Sequence, residues 1–103
     1  MAADLHFDFE WDPVKARANQ QKHGVAFDQA ASVFLDPLML TVYDKAHSGE
    51  EDRWHTMGRD ATGRLLTISH TLRELESGRT RVRIISAREV TRDERKAFEN
   101  EPK

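Results

Sequence analysis

RWHTMGRDATGRLLTISHTLRELESGRTRVRIISAR, residues 53–88, is the stretch that decides the architecture. Residues 53–59 and 64–72 are rich in β-branched and aromatic side chains, and the intervening DATG is a hairpin signal. ELESG, 74–78, is a second turn, and TRVRIISAR, 80–88, a third strand. Three consecutive strands with tight turns make an antiparallel meander. Arg79, Arg81 and Arg83 alternate, so strand periodicity predicts that they share one face, with Val82 and Ile84 turned into the core. His70 falls on the face of Leu66, Ile68 and Leu72 and reads as a hydrogen-bonded core histidine.

Upstream, HFDFEW (6–11) alternates Phe7, Phe9 and Trp11 on one face of a short strand. Asp12-Pro13 is an N-cap followed by a first helical residue, and Gly24 is a left-handed helix end. The helix between them has a thin apolar side. Lys15, Asn19 and Lys22, with His23 beside them, line a polar, partly basic face. Phe27, Ala30, Ala31 and Phe34 predict a second helix over about 27–35, closed by Asp36-Pro37. LMLTVYD (38–44) reads as a strand apolar on both sides, and KAHSGEED (45–52) as a polar loop. Thr91 and Glu94 make a capping box for a last helix. The order is β-α-α-β-β-β-β-α. This is an α+β fold, with two helices on one side of a small, mostly antiparallel sheet, in a single domain over residues 1–103.

Composition narrows the function. Absence of cysteine excludes disulfides, thiolate metal sites and a thiol nucleophile. The N-terminus has neither the basic nor the apolar region of a secretory signal, and no apolar run suggests a membrane span, so a cytoplasmic protein is expected. The net charge of −2 hides a division: residues 1–51 carry 4 Lys/Arg against 9 Asp/Glu, residues 52–103 carry 12 against 9. In the second half the lysines are Lys96 and Lys103; the other basic residues are arginines, whose planar forks suit phosphate.

Three arginines on one sheet face repel unless acids or anions lie between them. Pairing with Glu74, Glu76 or Asp60 is one reading and a phosphate-binding face the other. Trp54 reads as a core-edge residue. Glu51 near Arg53 is either a general base beside a phosphate-binding arginine or a loop ion pair. The five histidines show no metal-binding spacing. His23 ends a helix, where the partial negative charge favours the imidazolium, a form able to protonate a leaving group.

FEWDP (9–13), KHGVAF (22–27), AASVFLDP (30–37), EDRW (51–54) and RIISAR (83–88) occur in the order in which similar blocks run through the BrnT toxins. The chain resembles that family over about residues 7–99. The resemblance implies a RelE-like fold with helices on one face of an antiparallel sheet, and a ribonuclease that arrests translation and growth. It also implies a BrnA-type antitoxin partner, through whose complex operator DNA would be bound. The blocks carry over Lys22, His23, Glu51, Arg53, Arg83, Ser86 and Arg88. Where many relatives have tyrosine this chain has Phe98, so a phenol there takes no part.

The chemistry so implied is metal-free RNA cleavage by attack of the 2′-OH on phosphorus, with no cofactor. Arg53, Arg83 and Arg88 are expected on the phosphate with Lys22 in support, Arg81 and Ser86 on the substrate, and His23 and Glu51 as acid and base candidates. The competing class is a non-catalytic module whose basic face holds an acidic partner segment. A DNA-binding co-repressor is a weaker third, since no recognition helix is legible.

Overall fold

A computed structural model describes residues 6–102. The expected domain span of 1–103 includes residues 1–5 and 103, which lie outside the described residues. In chain order the elements are β1 (Phe7–Glu10), α1 (Pro13–His23), α2 (Phe27–Ala31) continued by a 3-10 turn (Ser32–Leu35), β2 (Leu40–Tyr43), a 3-10 turn (Lys45–His47), β3 (Trp54–Arg59), β4 (Leu65–Glu74), β5 (Thr80–Glu89) and α3 (Arg92–Glu99). The strands form one sheet in the order β1-β5-β4-β3-β2; β1 pairs with β5 in parallel and the other pairs are antiparallel.

Local chemistry sets the helix ends. The Asp12 carboxylate accepts from the Val14 N–H at 2.8 Å, and Gly24 closes α1 at φ 69°. Thr91 and Glu94 form the reciprocal capping box of α3. One face of the sheet carries Ile68, Val82, Ile84 and Ala87 against Val25, Phe27, Ala30, Val33 and Phe34. Phe7 and Phe9 meet Phe34 edge-on, and Trp11 meets Phe27. Gly58 lets the 3-10 turn approach closely: a Cβ there would stand 3.0 Å from Val33 Cγ1.

Helix α1 docks differently. Its buried residue is Asn19, whose amide donates to the carbonyls of Val25 and Ala87 and accepts from the Ala87 N–H. β1 pairs with β5 only over Thr80–Arg83, so Asn19 takes the place of a neighbouring strand at Ala87. Of the predicted polar face of α1, Asn19 therefore turns toward the sheet while Lys15 and Lys22 stay exposed.

Two further expectations change. Strand β2 was read as apolar on both sides; it is an edge strand with Val42 and Tyr43 exposed. The resemblance put the helices on one face, but α3 lies on the other. Ala97 and Phe98 close a groove of about 210 Å³ over Leu40, Val42, Met57 and Thr67, which share that second face. Phe98 is buried there, so the ring packs.

His70 is fully buried against Phe34. Its Nδ1 lies 3.2 Å from the Thr71 carbonyl, which only accepts, so that nitrogen carries the proton and Nε2 accepts from the Thr56 hydroxyl at 2.6 Å. Burial pushes its pKa down from 6.5 to about 4. As pH falls below 6.5 the unfolded chain takes a proton that the native state refuses, so stability drops through the window from 6.5 to about 4. Urea unfolding should show this term costing about 2 kcal/mol between roughly pH 7 and 5, with a flatter profile in a His70→Gln chain.

Candidate active site

The second sheet face is only partly covered by α3. The remainder is built by cross-strand rows, and an irregularity in β5 sets its composition. Ser69 pairs with Ser86 but His70 pairs with Ile84, leaving Ile85 without a partner. This bulge reverses the alternation. Ile84 and Ala87, three residues apart, both enter the core, while Arg81 and Arg83 before the bulge share the open face with Ser86 and Arg88 after it.

Arg81 stands opposite Arg73 on one side and Asp8 on the other; Arg83 stands opposite Thr71 and Glu10. Among the described residues Glu74, Glu76 and Asp60 form no ion pair with Arg81 or Arg83. Arg79 lies just before β5 and pairs with Asp8 at 2.6 Å, also donating to the Phe7 carbonyl. The Arg79 hydrogen bond, against a smaller desolvation cost, lowers the Asp8 pKa. Arg81 approaches Glu10 at 3.8 Å. Asp60 instead organises the β3–β4 turn, accepting from Thr62, Arg64 and Gln29. Arg53, Arg73 and Arg83 have no ion pair within the described residues.

Arg88 is committed elsewhere. Its two terminal nitrogens donate to the two Glu94 oxygens at 2.9 and 3.0 Å. Glu94 also accepts from the Thr91 N–H, and the Arg88 contacts lead the interactions that pull its pKa down to about 2. Arg88 thereby fastens the first turn of α3 to the sheet.

Lys22 and His23 line a shallow depression of about 210 Å³ with Lys15, Asn19, Ile85 and Ser86. They stand beside β5, as the helix end requires. Arg53 sits at the head of β3, its N–H donating to Ser48 Oγ and its carbonyl accepting from the Asp44 N–H. Glu51 is exposed on the preceding loop and makes no side-chain hydrogen bond among the described residues. Trp54 is partly buried against Tyr43.

One cluster was missed by the sequence reading. Asp44, 8% exposed, accepts from His55 Nε2 at 2.7 Å and from His47 Nδ1 at 2.9 Å, both on Oδ2. Burial alone would raise the Asp44 pKa, yet the hydrogen bonds from His55 and His47 outweigh it and the net direction is down. The available signal was D-x-x-H at 44–47, an aspartate capping a short turn onto its own histidine. Among the described residues no group of three His, Cys, Asp or Glu side chains is placed to hold a metal ion.

Residues 11–94 match the family model described as ribonuclease toxin, BrnT, of type II toxin–antitoxin system. This chain belongs to the BrnT family. The crystal structure of the Brucella abortus ribonuclease toxin BrnT is similar to it, with a TM-score of 0.59 at 19% identity, over 82% of this chain and 96% of that one. At that identity the likeness speaks for the fold, an α+β arrangement with a mixed five-stranded sheet. No curated protein sequence matches the chain. The BrnT match spans α1, the Asp44–His55 region, the arginines of β5 and Glu94, and ends before Phe98.

Proposed function

We propose that this BrnT chain is a metal-independent endoribonuclease with a RelE-like fold that arrests translation and growth in the cytoplasm. A BrnA-type antitoxin neutralises it, and operator DNA is contacted through that complex. The observation that carries the reading is the open sheet face, where Arg83, Arg73 and Arg53 form no ion pair among the described residues, although Arg83 stands opposite Glu10. Unpaired guanidiniums in fixed rows suit a phosphate that gains negative charge as the 2′-OXYGEN attacks and the 5′-oxygen leaves. Lys22, Arg81 and Ser86 hold the RNA strand alongside, and Arg88 contributes its remaining donors while braced by Glu94.

The proton transfers first assigned to His23 and Glu51 face a geometric demand. His23 lies beside β5 and Glu51 precedes β3, and those strands are two spacings apart, roughly 10 Å. The arginines therefore carry the larger part of the reading.

Incubation of purified protein with end-labelled RNA in EDTA tests it. The expected products end in a 2′,3′-cyclic phosphate and a 5′-hydroxyl. Intact RNA, together with tight salt-sensitive binding of an acidic peptide, would favour the non-catalytic module instead.

A further inference from the structure

We propose that Asp44, His47 and His55 form the proton-transfer centre of this nuclease, with the two histidines acting on RNA and Asp44 positioning both. The inference rests on the ribonuclease reading and replaces His23 and Glu51 in that role.

The geometry is specific. Asp44 follows the edge strand β2 and is buried, whereas the His47 and His55 side chains are 70% and 40% exposed. An ionised carboxylate only accepts, so the nitrogens facing it carry protons: Nδ1 of His47 and Nε2 of His55. That fixes both tautomers and leaves His47 Nε2 and His55 Nδ1 without a partner among the described residues. Each ring is thus tethered at one end and open at the other. His55 shares its row with Ser69 and Ser86 on the arginine-bearing face, next to Arg53, whose carbonyl is bonded to the Asp44 N–H. The charged and titratable groups around His55 are Asp44 and His47, Arg53 at the head of its own strand, Glu101 beyond α3 in the same groove, and neutral His70 on β4.

The chemistry balances with these two rings. The neutral imidazole takes the 2′-OH proton as the O2′–P bond forms. The imidazolium gives its proton to O5′ as the P–O5′ bond breaks. The products are a cyclic phosphate and a 5′-hydroxyl, and the histidines finish with exchanged protonation states, reset by solvent.

The test is cleavage of labelled RNA in EDTA across roughly pH 5–8.5 by the parent, His47→Gln, His55→Gln and Asp44→Asn chains, with Arg83→Ala, His23→Ala and Glu51→Gln beside them. The parent profile should be bell-shaped. Each histidine variant should lose one limb and about a hundredfold or more in rate, while binding a 2′-deoxy-substituted RNA as the parent does. His47 is exposed enough for its variant to keep the fold, and added imidazole should partly restore it. Asp44→Asn should shift the limbs and lower the rate about tenfold, an effect that loss of the turn cap alone would not produce. Histidine variants that cleave within about threefold of the parent, with its pH profile, overturn the inference; if Arg83→Ala is then inactive, the ribonuclease reading stands. Loss confined to His23→Ala and Glu51→Gln returns the proton transfers to that pair. A parent that leaves RNA intact overturns both readings.

Discussion

An Arg83→Ala chain is expected to cleave RNA at least about a hundredfold more slowly than the parent while melting within a few degrees of it. Arg83 projects from β5 onto the open face, is exposed, and makes no ion pair within the described residues. Its removal relieves repulsion from Arg81 and Arg73 and gives up the attraction of Glu10 opposite, both at an exposed position, so stability should move by no more than about 0.5 kcal/mol. Rate is different, because a guanidinium fixed on a strand meets developing phosphate charge without reorganising, and one such donor is worth about a hundred- to a thousandfold. Arg83→Lys keeps the charge but loses the fork, and should recover only part of the rate. Single-turnover rates and thermal melts of the three chains check this. Equal cleavage by folded Arg83→Ala would remove the arginine face from the mechanism.

The largest effect on stability is expected at Asn19. Asn19→Ala should lower the unfolding free energy by about 3 kcal/mol, roughly 10–25 °C in melting temperature for a domain of this size. Three hydrogen bonds, at 2.9 to 3.0 Å, run from this one amide to the backbone of Val25 and Ala87. Truncation leaves a buried N–H and two buried carbonyls with no replacement. Asn19→Asp separates the terms: it keeps the acceptor for the Ala87 N–H but loses both donors and places a charge against carbonyls. It should therefore be at least as destabilising as alanine. Calorimetry on the two variants decides, and an alanine chain melting with the parent would mean that the amide is not what fastens α1 to β5.

These two residues show how far the sequence could be read. Arg83 was found by alternation and by its place in RIISAR, because strand periodicity is local and each arginine keeps the parity of its neighbours. Asn19 was also singled out, but only as one member of a polar, partly basic face. Nothing in an i, i+4 pattern of polar residues tells whether one of them replaces a strand at a sheet edge 68 residues away. Arg88 and Ser86 entered through family resemblance. By parity from Arg83 alone, Arg88 would have pointed into the core, and the unpaired Ile85 is what turns it out. His47 and His55 were screened for metal spacing and set aside. Their shared feature is a carboxylate that reaches them at separations of three and eleven residues, which no single motif joins.

The sequence by itself determined the elements, their order, their caps and the location of most of the basic charge. Each of those rests on interactions within a few residues: an aspartate before a proline, a threonine three residues ahead of a glutamate, a glycine at positive φ, alternating strand side chains. Tertiary structure decided which face each arginine occupies, which of them are neutralised, where α3 lies, and which histidines share an acid. Those are set by strand register and by one inserted residue, and a single-residue slip reverses every side chain beyond it. That reversal depends on pairing with a distant strand, so it leaves no trace in the local pattern of β5.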